Sequence, residues 1–427
     1  MFKQFPGFLL IIILVSCHSA TTPAVDAKYA DSLINHYSPN TMVENNLAFW
    51  QKRMDAQPDN FVNGPEYAAA LITAFRQSGD INQLIKADSL VNKTNEANAG
   101  KEPGNWRGLA NLAMMRHQFS QPANYLKQAV AIEGNSVPNA FLDFDISFES
   151  GNYSRAKGLL EELKAGNEYG YLFRRSKYEH YKGSLDSAIT CMEMAASKAG
   201  NNKTLKQLAL SNAADLYMHK AGITEAVDLY EESLQLNPCD LHSLTGLGWI
   251  SLVHDGNDSL AERLFQFVHS KSKSPDILLK LSQLEGYRRN TVRQKEYGNQ
   301  FIKIVTEPVY GKMYNKYLID LYTGVLPDTH KAVSLSLQEV NDRPTPQSWA
   351  WYAWSLYSNN EQGKAWKIYK GFVSGKPLEA LELYYMGRMM QGMDKSYNAR
   401  EYFKAAWKNK YDLDPQKQEI IKRALDI

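Results

Sequence analysis

Residues 349–407 read WAWYAWSLYSNNEQGKAWKIYKGFVSGKPLEALELYYMGRMMQGMDKSYNAREYFKAAW, and this stretch contains the same pattern twice. The first copy runs Trp349, Tyr352-Ala353, Leu356, then Ala365, Tyr369 and Pro377. The second runs Leu383, Met386-Gly387, Met390, then Ala399, Phe403 and Ala406, so that Ala399 repeats Ala365. Large residues three and four apart line one face of a helix. Each copy therefore predicts two helices. The small residues Ala353 and Ala365 mark where the two approach closely, Tyr369 fills the gap to the next copy, and Pro377 stops the second helix. One such pair cannot bury both of its apolar faces, so the pairs must stack on one another.

The same anchors recur along the chain. Residues 207–238 carry Leu210, Ala213-Ala214, Tyr217, Ala226, Tyr230 and Pro238. The step from the small residue of the second helix to the closing proline is identical at Ala226–Pro238, Ala332–Pro344 and Ala365–Pro377. Pro122, Ala156, Ala188, Ala226, Ala261, Ala332, Ala365 and Ala399 follow one another at nearly even steps, except that Ala261 to Ala332 is a double step. That double step predicts one degenerate unit near 276–312. A weak first unit falls near 65–100. Phe141–Phe148 alternates like a strand, but the flanking anchors Leu126 and Ala156 place it on a first helix.

A period of about 34 residues with these anchors resembles the tetratricopeptide repeat (TPR) family. The resemblance implies an all-α fold, an α-α superhelical solenoid of about ten TPR-like helix hairpins. It also implies a concave groove lined by first helices. Carried over position by position, the groove residues are Arg107 and Asn111; Phe173, Lys177 and His180; Ser211 and Asp215; Ala350, Trp354 and Tyr357; and Tyr384, Arg388 and Gln391. Aromatic and arginine anchors dominate interface energetics, so Trp354, Tyr357, Tyr384 and Arg388 form the expected recognition patch. The Lys/Asn carboxylate clamp of chaperone-binding members is not matched, since the corresponding pairs are Ser211 with Asp215 and Ala350 with Trp354.

The chain begins differently. Lys3 precedes an apolar run, Phe8–Val15, too short to span a bilayer. The run ends Leu14-Val15-Ser16-Cys17, which resembles a bacterial lipobox and implies acylation of Cys17. The expected organisation is a signal peptide over 1–16, a lipidated Cys17 with a flexible tether to 30, N-terminal capping helices over 31–64, the repeat array over 65–414 and a capping helix over 415–427. In that last helix Asp414 serves as N-cap and Pro415 opens the first turn.

Hydrophobic residues make up 44% of the 427 and charged ones 22%, the composition of an ordinary globular chain. A formal net charge of +2 gives no single-sign field for nucleic acid. Cys191 and Cys239 fall on unmatched positions of their units and are expected to stay free. No His-Glu-x-x-His, phosphate loop or Gly-x-Ser-x-Gly elbow occurs, and Gly246-Leu247-Gly248 is explained by close helix approach. No catalytic residue, metal site or cofactor is expected. Asp143 and Asp145 would point apart on a helix, and the pairs Arg174-Arg175 and Arg288-Arg289 read as solvated faces. Four tripeptides, at Asp31, Asp88, Asp186 and Asp258, resemble the Asp-Ser-apolar glycosylation acceptors of Bacteroidetes-type bacteria. Asp186 and Asp258 also fall where helix caps are needed.

These features predict a non-enzymatic, lipid-anchored scaffold. Its partner is an envelope protein or peptide, its membrane contact is the lipid anchor, and its location is the bacterial outer membrane facing the periplasm. The alternative is a glycan-binding outer-membrane lipoprotein. A helical-toroid sugar hydrolase is disfavoured by the short period.

Overall fold

The computed structural model describes residues 22–58, 60–164 and 168–427; the leader and Cys17 lie outside the described residues. Among the described residues there are 23 α-helices and no strand. Helices α1 (Ala27–Asn35) and α2 (Thr41–Ala56) come first. Hairpins follow in sequence: α3/α4 (Asn63–Ser78, Ile81–Ala97), α5/α6 (Pro103–Met115, Pro122–Glu133), α7/α8 (Val137–Glu149, Tyr153–Leu163) and α9/α10 (Glu168–Tyr181, Leu185–Lys198). Then come α11/α12 (Lys203–His219, Ile223–Leu236), α13/α14 (Leu241–Val253, Asp258–Lys271) and α15/α16 (Asp276–Tyr287, Thr291–Val305). The array closes with α17/α18 (Asn315–Thr323, Thr329–Asp342), α19/α20 (Pro346–Ser358, Gln362–Ile368), α21/α22 (Ala380–Gly392, Ser396–Lys408) and the single helix α23 (Pro415–Leu425). The degenerate unit is a regular hairpin, and the alternating Phe141–Phe148 run lies within α7.

Close approach within hairpins explains the glycines at the repeat position. A Cβ at Gly248 would stand 2.7 Å from the Phe265 ring, and one at Gly387 would stand 2.6 Å from the Phe403 ring. Each second helix thus drives an aromatic side chain against bare backbone of the first, where close packing stabilises most. Pro377 does not end its helix. The chain leaves α20 through a wide turn at Tyr369–Val373, and Ser374 N–H donates to Tyr369 O at 2.9 Å before the proline is reached. The caps also differ from the sequence reading. Ser184 and Asn257 precede α10 and α14, while Asp186 and Asp258 lie in the first turns. Asp31 and Asp88 sit inside helices, Asp88 paired with Arg116 at 3.2 Å.

The repeats coil tightly enough to meet themselves. Lys273 N–H donates to Ser78 O at 2.7 Å, Arg343 lies 3.7 Å from Glu149, and His219 lies 2.7 Å from Asp412. Each pair closes nearly the same length of chain, 193 residues for His219 and Asp412, so one superhelical turn is read at three points. Asn409 also donates to His219 O at 2.7 Å, and Trp249 Nε1 to Tyr411 O at 2.7 Å. The inner surface of one turn is therefore walled by the next.

The N-terminal stretch read as a tether is docked from Ala24 onwards. Asp255, almost wholly buried, accepts the backbone N–H groups of Ala24 at 2.9 Å and Val25 at 3.1 Å, and Val25 is 2% exposed. Helix α1, capped by Asp26, lies along α14, with Arg263 on Asp31 and Tyr37 edge-on to Phe267. A small-residue composition allows flexibility, but a buried carboxylate needs donors and takes them here. At the other end Asp414 accepts from Lys417 N–H at 3.0 Å, and Ile421 and Leu425 are buried.

Candidate functional site in the cleft between turns

Between the first and second turns lies a cleft of about 610 Å³, within the range of ligand pockets. One wall is built by the ends of α7, α9 and α11, which present Phe148, Glu149, Lys177, His180, Tyr181 and His219. The facing wall presents Lys316 of α17, Arg343 after α18, Trp351 of α19, Glu379 before α21, and Asn409 and Asp412 before α23.

The first wall carries an aromatic shelf. Tyr153 and Tyr181 stack with centroids 3.7 Å apart, and Phe148 meets them edge-on at 5.3 and 5.9 Å. Lys177 lies 4.8 Å over the Phe148 ring. Burial pushes the Tyr153 hydroxyl well above its ordinary range and raises that of Tyr181. Both therefore remain neutral hydrogen-bonding groups.

The charges are mostly matched within the chain. Lys177 pairs with Glu149, Lys182 with Glu179 at 3.0 Å, and Arg343 with Glu339 at 2.9 Å. Burial alone would raise the Glu149 carboxyl, but Lys177 and Arg343 outweigh it and hold the group low. Burial likewise lowers His219, yet Asp412 prevails and raises it to about 9. His180, stacked on His219 at 4.7 Å, is pushed down by burial and by that neighbour, so it stays neutral. Behind the cleft, burial followed by Arg343 lowers His117 to about 4.

Lys316 differs from these cations. Its ammonium lies 3.8 Å from Glu379 and 3.9 Å from Glu382, beyond hydrogen-bond range of either. Glu382 is completely buried. One of its oxygens accepts from Trp351 Nε1 at 2.6 Å, and the other has no hydrogen-bond partner. Burial raises the Glu382 carboxyl. Burial also acts to raise Glu379, but Lys316 holds it low.

Of the groove residues expected from the sequence, Lys177 and His180 line this cleft. In the C-terminal patch Trp354 and Tyr384 are buried, while Tyr357 and Arg388 are half-buried. Trp354 is 9% exposed, stacks flat on Tyr385 at 5.0 Å and donates from Nε1 to Thr323 Oγ1 at 3.0 Å. Tyr357 stacks on Trp354 at 5.7 Å, and Tyr384, 6% exposed, accepts from Arg388 at 3.1 Å. These rings fill the space between hairpins α17/α18, α19/α20 and α21/α22. Arg107 is held by Glu133 and Asn139, Asn111 is exposed, and Phe173 packs beside Tyr169; none of these three lines the cleft. Ala350 is fully buried, and Asp215 is held by His242 and Tyr230. Glu149, Lys316, Arg343 and Glu379 escaped the sequence reading because they converge only through the superhelical pitch.

The other candidates are accounted for by pairing. Asp143 binds Arg155, and Asp145 accepts from Arg174 at 3.1 Å, on different sides of α7. Arg175 binds Glu179, and Arg288 binds Asp258 and Glu262. Cys191 and Cys239 are free thiols, both raised by burial. Among the described residues no three or more His, Cys, Asp or Glu side chains are grouped to hold a metal ion, and no helix is long and apolar enough to cross a membrane.

No protein-family model and no curated protein matches the chain. Solved structures resemble parts of it at low identity. A human IFIT1 dimer with PPP-AAAA is 16% identical, with a TM-score of 0.48 over 73% of this chain and 71% of that one. PilF of Pseudomonas aeruginosa is 12% identical, with a TM-score of 0.37 over 50% of this chain and 97% of that one. A tetratricopeptide repeat protein from Parabacteroides merdae is 15% identical, with a TM-score of 0.35 over 61% of this chain and 98% of that one. The consecutive hairpins, their even period and the close-approach glycines make this chain an all-α solenoid of TPR-like helix hairpins.

Proposed function

We propose that this protein is a non-catalytic scaffold of the bacterial envelope, anchored by lipid at Cys17, that holds a segment of another protein in the cleft between its superhelical turns. The observation that carries the reading is the cleft itself. A volume of about 610 Å³ accommodates a few residues of extended chain, and an aromatic shelf faces a polar wall across it. The charges that line it are paired with one another rather than gathered on a substrate-sized point, which suits holding better than chemistry. The near-neutral balance of the whole chain favours a protein partner over nucleic acid. The sequence Leu14-Val15-Ser16-Cys17 supports placement on a membrane, and the uncharged run Ser19–Val25 that follows favours the periplasmic side of the outer membrane.

The test is photo-crosslinking in cells from an amino acid installed at Gln347, a cleft-lining position, with mass spectrometry of the products. A discrete envelope protein, lost when Tyr181→Ala is added, is the expected result. Crosslinks indistinguishable from those of an outer-surface control position would overturn the docking reading. Retention of the Cys17→Ala protein in the membrane fraction, with an unacylated mature mass for the parent, would overturn the anchor. The stacked Tyr153 and Tyr181 rings also suit a sugar ring, so titration with envelope oligosaccharides tests the second reading.

A further inference from the structure

We infer that the cleft recognises its partner through an uncharged amide that bridges the Lys316 ammonium and the Glu379 carboxylate, and not through a chain-end carboxylate or a charged side chain. The inference rests on the docking reading above.

Four of the cations that line the cleft already hold a carboxylate of this chain: Lys177 with Glu149, Lys182 with Glu179, His219 with Asp412 and Arg343 with Glu339. An arriving anion or cation has to break one of these pairs before gaining its own. The exchange returns little net free energy once the displaced group is left poorly solvated. Lys316 stands 3.8 Å from Glu379 and 3.9 Å from Glu382, too far to hydrogen-bond either. Lys316 and Glu379 are close enough for one bridging group to satisfy both. The group that fits offers an acceptor to Lys316 and a donor to Glu379 at once. An amide does so with its C=O and N–H and carries no charge that either wall would repel. A carboxylate would satisfy Lys316 and confront Glu379; an ammonium would do the reverse.

Beneath the pair, Glu382 is fully buried; its Oε1 accepts from Trp351 Nε1 at 2.6 Å and lies 3.9 Å from the Lys316 ammonium. Across the cleft, the Phe148, Tyr153 and Tyr181 shelf offers apolar area to whatever side chain flanks the bound amide. The recognised segment is thus a neutral stretch carrying an aromatic or aliphatic side chain beside either a main-chain amide or an Asn or Gln carboxamide.

The test uses the mature full chain and an array of decapeptides, N-acetylated and C-amidated so that no chain end is charged, with solution affinities for those that bind. Neutral members carrying an aromatic residue are expected to bind. Lys316→Met and Glu379→Ala are each expected to weaken them about tenfold, the loss of one charge-assisted hydrogen bond. Raising salt from about 0.05 M to about 0.5 M is expected to change affinity by less than about threefold, because no net charge is neutralised. Binders without Asn or Gln assign the amide to the main chain; binding confined to Asn or Gln peptides assigns it to the side chain. A preference of about tenfold or more for free C-terminal carboxylates overturns the inference, as does unchanged binding in both variants, while leaving the docking reading in place. No peptide binding at all, with both variants melting as the parent does, overturns the docking reading and this inference with it.

Discussion

The Trp354 ring lies flat against Tyr385 with 7° between their planes, and its one polar atom is spent on Thr323. A ring placed so contributes packing, and little of it is left for a partner. Trp354→Ala is expected to cost about 3–5 kcal/mol of stability, as removal of a large buried aromatic generally does. Thermal unfolding reads this directly, and the peptide affinity of the surviving folded fraction should be unchanged. Gly387 and Gly248 work in the opposite sense, since their missing side chains let Phe403 and Phe265 reach the neighbouring backbone. Both roles were half visible in the sequence. The spacing marks Gly248 as a close-approach position, and it marks Trp354 as facing inward along the superhelix. Spacing cannot say whether an inward face meets open water or another ring. Here Tyr385, from the next first helix, takes the space that a partner would have used.

Helix α1 shows the same limit for a whole element. It carries its own cap at Asp26, yet it owes its place to α14 and to Asp255, which lies far along the chain from the Ala24 and Val25 donors it accepts. Asp255→Ala removes the acceptor for two backbone donors without altering the helix itself. Limited trypsin digestion is expected to cut after Lys28 several-fold faster in this variant, because the opening of the segment becomes cheaper by roughly 1–3 kcal/mol. Equal cutting rates would mean that Val25 and Ala30, buried beside α12–α14, hold the segment unaided. Helix α7 is the converse case, where local alternation favoured a strand and the repeat register prevailed. Phe144 is fully buried in a helical packing shared with Ala156 and Leu160. Helix α23 was legible complete, cap and buried face alike, since both are set within its own short span.

At the scale of the molecule, the closure of one superhelical turn on the next decides what the inner surface is. The backbones approach closely along this seam at Gly79, where a Cβ would stand 2.5 Å from Ser274 N. Gly79 also holds φ at +70°, which favours glycine. Gly79→Val is expected to push the turns apart at a cost of about 1–3 kcal/mol. Small-angle scattering should then give a larger radius of gyration, with helical circular dichroism unchanged. The His219–Asp412 contact makes another part of the seam sensitive to pH. His219 rises from its ordinary 6.5 to about 9. Its contribution is therefore complete below about pH 6.5 and is lost as pH climbs through about 9. Unfolding free energy should fall by roughly 3 kcal/mol over that window, and His219→Gln should flatten the profile. A profile of the variant parallel to that of the parent would remove His219 as the cause.

What the sequence determined by itself was everything set by short spacing: the helices, their pairing into hairpins, the period, the close-approach positions and the C-terminal cap. Those features depend on residues one helical turn, one hairpin or one repeat apart, and the chain states them outright. What only the tertiary structure decided was the pitch, because a small rotation at each hairpin accumulates all the way from His219 to Asp412 before its consequence is met. That sum closed the groove, buried Trp354 and Tyr384, and brought Lys316 and Glu379 opposite Glu149 and Lys177. No local pattern encodes such a sum, since each step is set by how well one pair of faces packs on the next.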